Sequence, residues 1–224
     1  MNSCYKSCRK IVAVARNYVA HARELGNEVP TEPIVFLKPS TSIITVGQSI
    51  KMPPGSKLLN HEVELCLVIG KSISNASPDQ IKDCISGYTV ALDMTERDLQ
   101  SDAISKGYPW SIAKGFDTSC CLGPLMDINS LPADMLLPKE KRKNSEDLNL
   151  DLWLKVNGVE RQRASTSLMV HSPADLIAFV SKYMTLEAGD LILTGTPAGI
   201  GPCEIGDTIH AGMGQNCEVV FKIV

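Results

Sequence analysis

A chain of 224 residues, 44% hydrophobic and 21% charged, carries enough apolar material for one sizeable core and reads as an ordinary globular protein. Its net charge of −3, with aromatics at 5% and no basic stripe outside one loop, argues against the basic, aromatic-interleaved surface of a nucleic-acid binder. No apolar run approaches the roughly 18 to 20 residues of a membrane-spanning helix, so no such span is expected.

The N-terminus, MNSCYKSCRK, is basic, and no acid precedes Glu24, which gives it some likeness to a mitochondrial transit peptide. A presequence this short would be unusual. Both the mitochondrial matrix and the cytoplasm fit, and residues 1–9 read as a tail ahead of one domain spanning 10–224. The eight cysteines need no disulfide framework in a chain with a proper core. Cys4 and Cys8, like the adjacent Cys120 and Cys121, lack zinc-ligand spacing and read as reduced structural thiols.

Residues 10–15 read as a short buried strand and 16–25 as a short helix, with Asn17 as its cap and Gly26 as its stop. On that helix His21 and Glu24 are three apart and share a face. A helix this short is unstable alone, so it is expected to act as a lid that forms when packed over a site. Pro39, Pro53, Pro54 and Gly55 divide the strand-like runs of 33–59 into hairpins and turns. A strand follows over 63–69. Ser77, Pro78 and Asp79 open a helix ending near Gly87, and YTVALD is a strand stopping at Asp93. If MTERDLQ turns helically, Asp93, Arg97 and Gln100 fall on one face. Lys114 stands near the end of a short apolar run. Residues 138–147 form a charged, solvated loop, with a basic recognition patch as the weaker reading. Residues 150–156 alternate as a strand and Asn157-Gly158 turns a hairpin. Ser172, Pro173 and Asp175 start a helix with Leu176, Ile177, Phe179, Val180 and Tyr183 as its apolar stripe. LILTG is a buried strand leading into the glycine-rich TGTPAGIG. Short helices among many strands give a β-dominated α+β class rather than a doubly wound parallel sheet.

The chemistry centres on LNHEVEL. On a strand, Glu62 and Glu64 project from one face while His61, Val63 and Leu65 point to the other. Two like charges on one face are costly to bury unless a cation neutralises them. With Asp93 they form an oxygen set that suits Mg²⁺ or Mn²⁺ better than zinc and leaves about three positions of an octahedral ion open. The same spacing also fits a solvated strand face with a capping aspartate. His21 and Glu24 fit a general base with its orienting carboxylate, or an exposed helical pair. Lys114 fits stabilisation of a developing enolate, binding of a carboxylate, a Schiff base with a keto acid, or a surface position. TGTPAGIG lacks the GK[ST] ending of a phosphate loop; a turn offering backbone N–H groups and the Thr196 hydroxyl to an anion fits better.

Taken in order, RNYVAHARELGN, FLKPSTS, LNHEVEL, GYTVALDMTERDLQ, PWSIAKGFD and LILTGTPAGIG resemble the motifs of the fumarylacetoacetate hydrolase superfamily. Within it the chain is most similar to the short, single-domain acylpyruvase and oxaloacetate decarboxylase type. The resemblance implies a mixed β-roll, a homodimer, and Mg²⁺ or Mn²⁺ held by Glu62, Glu64 and Asp93. It implies a His21 and Glu24 dyad on a mobile lid, Lys114 in the active site, and substrate contacts from Arg97, Gln100 and Thr196. The implied activity is metal-dependent cleavage of β-dicarbonyl acids: hydrolysis of acylpyruvates (acetylpyruvate, fumarylpyruvate) to pyruvate and a carboxylic acid, and decarboxylation of oxaloacetate to pyruvate and CO₂. Enol–keto exchange of oxaloacetate at the same site is the alternative, and a non-catalytic metal-stabilised binding protein a more distant one. Three features depart from the family pattern. Glu96 replaces a small residue and is expected to weaken the hold of Arg97 on a substrate carboxylate, Cys121 replaces a proline, and the loop 138–147 is expanded.

Overall fold

The computed structural model describes residues 5–142, 150–215 and 217–224; Cys4 and the end of the charged loop, with Glu146 and Asp147, lie outside the described residues. The first half runs β1 (Lys10–Ala15), α1 (Val19–Glu24), β2 (Ile34–Pro39), β3 (Ile43–Thr45), β4 (Leu59–His61), β5 (Val63–Ile69), β6 (Ile85–Asp93), β7 (Thr95–Glu96), α2 (Arg97–Lys106) and α3 (Ser111–Gly115). The second half runs β8 (Cys120–Leu122), β9 (Met126–Asp127), β10 (Asp151–Val156), β11 (Val159–Ser165), α4 (Pro173–Ser181), β12 (Leu191–Leu193), β13 (Gly201–Cys203), β14 (Thr208–Met213) and β15 (Cys217–Lys222).

These strands form a large mixed sheet ordered β2-β1-β12-β5-β6-β8-β3, with β9 beside β6, a four-stranded sheet β11-β10-β14-β15 and a small sheet β13-β4-β7. The fold is a strand-dominated α+β roll. Strand β5 lies between β12 and β6 and is buried along its whole length. Alternation sends Val63, Leu65, Leu67 and Ile69 into the core shared with Leu152, Leu154, Ile209 and Phe221 of the four-stranded sheet. Cys66 and Val68 point the other way, into a smaller cluster with Ile11, Ala13, Cys120 and Leu193. Glu64 shares that second face, so the carboxylates end an apolar stripe rather than line a wet one.

Local signals held where short-range chemistry decides. Asn157 (φ 51°) and Gly158 (φ 81°) turn the β10–β11 hairpin. Ser172 and Asp175 form a reciprocal capping box on α4. Among the described residues the cysteines are free thiols.

Several expectations are corrected. Helix α1 starts at Val19 with Tyr18 in the N-cap position, and the Asn17 side chain caps nothing there: its amide bonds His171 O and Thr194 O instead. Strands β2 and β3 are not hairpin partners, because a 3₁₀ turn at Ser40–Ser42 sends β3 to run parallel with β8 while β2 pairs antiparallel with β1. The Ser77 signal closes only 3₁₀ turns, Pro78–Gln80 and Lys82–Cys84, before β6 begins at Ile85. Gly87 lies inside that strand, where a Cβ would stand 2.6 Å from Met126 O. Thr95 and Glu96 are extended rather than helical, since they pair with β4, and the helix starts only at Arg97. Tyr183 lies beyond the end of α4 and is 73% exposed, so it leaves the apolar stripe.

Candidate active site

Strand pairing brings the three carboxylates together. Glu64 stands opposite Ala91 and Val63 opposite Leu92. Asp93 N donates to Glu62 O at 2.9 Å, which places Asp93 on the same face as both glutamates. Glu62 itself occupies the one-residue break between β4 and β5. One oxygen from each side chain lies within 4.8 Å of the others. Glu62, Glu64 and Asp93 are 4%, 1% and 0% exposed, which rules out the solvated strand face.

Three cations answer this buried charge. Lys114 Nζ donates to Glu62 Oε2 (2.9 Å), Asp93 Oδ2 (2.6 Å) and Thr95 Oγ1 (2.6 Å). Lys38, fully buried on β2, donates to Asp93 Oδ1. Arg97, the first residue of α2, reaches Glu62 Oε1 and, with its other nitrogen, Gln100 Oε1 one turn on. Burial pushes the Glu62 carboxyl up, but the ammonium of Lys114 and the guanidinium of Arg97 outweigh it and leave the group lowered to about 2. Glu64 takes a neutral donor, Gly195 N at 2.6 Å. Burial, and then the charges of Asp93 and Glu62, hold it well above the usual carboxylate range. For Lys114, burial favours the neutral amine, yet Asp93 and Glu62 win and raise its pKa. A Schiff-base lysine needs the opposite shift, which disfavours that reading.

His21 is 4% exposed and faces the same cavity. Its Nδ1 lies 3.1 Å from Glu24 Oε2, and the other carboxylate oxygen of Glu24 accepts Gly199 N at 2.9 Å. A carboxylate only accepts, so Nδ1 carries the proton and Nε2 keeps its lone pair for chemistry. Helix α1 is thereby tied to the glycine-rich loop. That loop needs its glycines: a Cβ on Gly195 (φ 96°) would stand 2.7 Å from Asn17 Cβ, and one on Gly199 (φ 95°) 2.0 Å from Arg161 O.

The cavity measures about 380 Å³, and His21, Glu62, Arg97, Gln100, Lys114 and Thr196 all line it. Glu64 and Asp93 lie behind this lining. The structure thus gathers the predicted site residues in one place, with two changes of detail. Thr196 is not free for an anion: its hydroxyl donates to Val63 O at 2.9 Å and accepts Gln162 Nε2 at 2.7 Å. The N–H groups of Gly195 and Gly199 serve Glu64 and Glu24 of the chain itself. Glu96 leaves the hold of Arg97 untouched, because it turns away to cap α2 through Leu99 N (2.8 Å) and to accept Ser56 Oγ (2.7 Å) and Lys57 N (3.2 Å).

Sequence reasoning missed Lys38 and Gln162. The only signal for Lys38 was a charge inside the apolar run IVFLKP. Gln162 is 1% exposed on β11 and bonds His61 Nδ1 (3.1 Å), Val63 N (3.0 Å), Thr196 Oγ1 and Pro197 O (2.9 Å). The amide orientation is fixed, since Val63 N must donate and Pro197 O must accept. Phe36 and Trp110, with ring centroids 5.7 Å apart, build an apolar wall of the cavity.

Three buried carboxylates at the foot of an open cavity, with no nitrogen or sulfur among them, fit a hard divalent cation and not zinc. With a histidine–carboxylate pair beside them, the site offers acid–base groups next to a centre that suits such an ion. The family described as fumarylacetoacetate (FAA) hydrolase C-terminal matches residues 10–224, and the chain belongs to it. It is 44% identical to "Oxaloacetate decarboxylase, mitochondrial" of Dictyostelium discoideum over 226 residues, covering 100% of this chain and 98% of that one. It is 46% identical to "Oxaloacetate tautomerase FAHD1, mitochondrial" of Arabidopsis thaliana, with 98% and 92% covered. Fumarylpyruvate hydrolase from Pseudomonas aeruginosa, solved in complex with Mn²⁺ and pyruvate, superposes with a TM-score of 0.86 at 32% identity, covering 97% of this chain and 90% of that one.

Proposed function

We propose that this protein is a divalent-cation-dependent enzyme of oxaloacetate and related 2,4-dicarbonyl acids, with Glu62, Glu64 and Asp93 holding Mg²⁺ or Mn²⁺. The observation that carries the reading is the cluster of three buried carboxylates and two buried lysines that reaches the cavity through Glu62 and Lys114, with His21, oriented by Glu24, lining the same cavity. A cation there supplies Lewis-acid stabilisation of negative charge developing on a 2-oxo acid. Arg97, with Gln100 bracing its guanidinium, offers a cation to the substrate's carboxylate. Lys114 faces the cavity as a fixed ammonium and stabilises an oxyanion. His21 Nε2 accepts or returns a proton, while Glu24 fixes the tautomer and stabilises the imidazolium.

These groups serve cleavage and enol–keto exchange alike. Hydrolysis of an acylpyruvate needs His21 to activate water at the distal carbonyl. Decarboxylation of oxaloacetate needs only stabilisation of the enolate, and exchange needs a proton moved between O2 and C3. Enol–keto exchange is favoured as a second reading by the names of the relatives from Arabidopsis, cattle and human, each an oxaloacetate tautomerase. The mitochondrial names of these relatives and the basic N-terminus support a mitochondrial address, and we extend the proposal to a homodimer with α1 as its lid. His21→Ala is expected to lower acetylpyruvate hydrolysis and enol–keto exchange of oxaloacetate, the two reactions that need its proton transfer, by roughly 10² to 10⁴ without changing the fold. Undiminished turnover in that variant would remove His21 from the mechanism.

A further inference from the structure

We propose that Arg16 anchors a second, distal carboxylate of the substrate, so that the cavity selects 2-oxo dicarboxylates over monocarboxylic acylpyruvates; this rests on the reading of the cavity as a 2,4-dicarbonyl-acid site. Arg16 follows β1 directly, is half-buried and lines the same cavity as His21, Arg97 and Lys114. The other cations of that lining already have a role in the proposed chemistry: Arg97, held by Glu62 and Gln100, meets the carboxylate beside the 2-oxo group, and Lys114, held by Glu62 and Asp93, meets the developing oxyanion. The Arg16 guanidinium has no hydrogen bond or ion pair among the described residues. A partly desolvated guanidinium without a counter-charge is unfavourable, and a carboxylate meeting its planar fork with two parallel bonds is the ligand that best relieves it. Much of the remaining wall, with Leu25, Phe36, Ile104 and Trp110, gives a second negative charge nothing to bind.

The backbone supports the assignment. Arg16 has φ 57°, a left-handed conformation costly to any residue with a Cβ and tolerated mainly where its surroundings over-determine it. Here the next residue does so. Asn17 Nδ2 donates to His171 O (3.0 Å) and Thr194 O (2.8 Å), and Asn17 Oδ1 accepts His171 N (2.8 Å). The turn therefore holds Arg16 in the cavity wall without help from any contact of its side chain.

Such an anchor separates the two fates of oxaloacetate. In decarboxylation the C3–C4 bond breaks, its electron pair passes into the enolate over C2 and C3, and the distal carboxylate leaves as neutral CO₂. An ion pair with Arg16 is then lost on the way to the transition state, which slows that step. Enol–keto exchange moves one proton between O2 and C3 and keeps both carboxylates, so the contact persists. Arg16 accordingly favours exchange over loss of CO₂.

The test compares the full-length Mg²⁺-loaded protein with Arg16→Gln and with Arg16→Gly, the second variant being one that a left-handed backbone accepts without strain. Each is assayed with oxaloacetate and with acetylpyruvate, whose distal group is a methyl. The expected result is a KM for oxaloacetate exchange raised roughly 10- to 100-fold in both variants, as for one lost charge-assisted pair, together with a larger share of turnover ending in pyruvate. Acetylpyruvate kinetics should stay as in wild type. An unchanged KM for oxaloacetate, or equal losses on both substrates, overturns the assignment of Arg16 and leaves the reading of the site intact. A wild-type protein inert toward both substrates overturns that reading and this one with it.

Discussion

Replacing Gln162 with Leu tests how the second sheet supports the catalytic strand. Leucine fills a similar volume, so the cost is polar. Val63 N loses its acceptor at 3.0 Å and His61 Nδ1 loses its own at 3.1 Å. Both are buried, and an orphaned buried donor costs about 1–3 kcal/mol, which gives about 4 kcal/mol for the pair at mid-range. Thr196 keeps its bond to Val63 O and adds little, while Pro197 O also loses its donor, so the figure for the two N–H groups is a lower one. At about 2–4 °C per kcal/mol for a chain of this size, the melting temperature should fall by roughly 8–16 °C. Because His61 and Val63 flank Glu62, the same change should weaken Mg²⁺ binding roughly 10- to 100-fold, the usual effect of losing an outer-shell support. Urea unfolding and isothermal titration calorimetry measure the two effects. A stability loss below about 1 kcal/mol with unchanged Mg²⁺ affinity would refute the reasoning, since the two orphaned donors would then have found other partners.

Three further expectations follow from the site. Glu96→Ala removes the cap of α2 and should cost about 1–2 kcal/mol in urea unfolding while leaving kcat and KM nearly unchanged; a large rise in KM would show that Glu96 does act on Arg97. Glu64 is held above the usual carboxylate range by burial, Asp93 and Glu62, so the metal-free protein holds a proton there to higher pH than an ordinary carboxylate, and a bound cation competes with it. Mg²⁺ affinity should therefore rise with pH until that raised pKa is passed and level off above it, with proton release seen as calorimetric heats that vary with buffer ionisation enthalpy; a flat profile with no proton release contradicts the assignment. Lys38→Met leaves the buried Asp93 one cation short and should cost about 3–5 kcal/mol without metal. Saturating Mg²⁺ should then raise the melting temperature of this variant more than that of wild type, and equal gains would disconnect Lys38 from the carboxylate site.

What was legible in the chain was whatever a few adjacent residues decide. The alternation of Glu62 and Glu64, the three-residue step from His21 to Glu24 and the Asn157-Gly158 turn all carry their geometry in local spacing. Depth was not legible. Whether an E-x-E strand face is wet or buried depends on what packs against it, and here Arg97, Lys114 and Gly195, which meet the two glutamates, come from far along the sequence. Lys38 lies 55 positions from Asp93, and Gln162 lies 99 from Val63, so the partners that neutralise and brace the carboxylates could be named only once the fold placed them. Glu96 shows the opposite failure. Its neighbour in sequence is Arg97, but the switch from β7 to α2 at that point turns the two side chains to different sides. Asn17 is similar: a capping residue by type, it is drawn away by the backbone of residues 171 and 194.

The central claim is that Glu62, Glu64 and Asp93 hold a divalent cation at which oxaloacetate reacts with the help of His21. A proton NMR time course of oxaloacetate with the purified protein and Mg²⁺, repeated with excess EDTA, resolves keto, enol and pyruvate signals in one tube. The account predicts accelerated enol–keto exchange or pyruvate formation with Mg²⁺, abolished by EDTA and restored by adding the metal back. Turnover that persists undiminished in EDTA would contradict it.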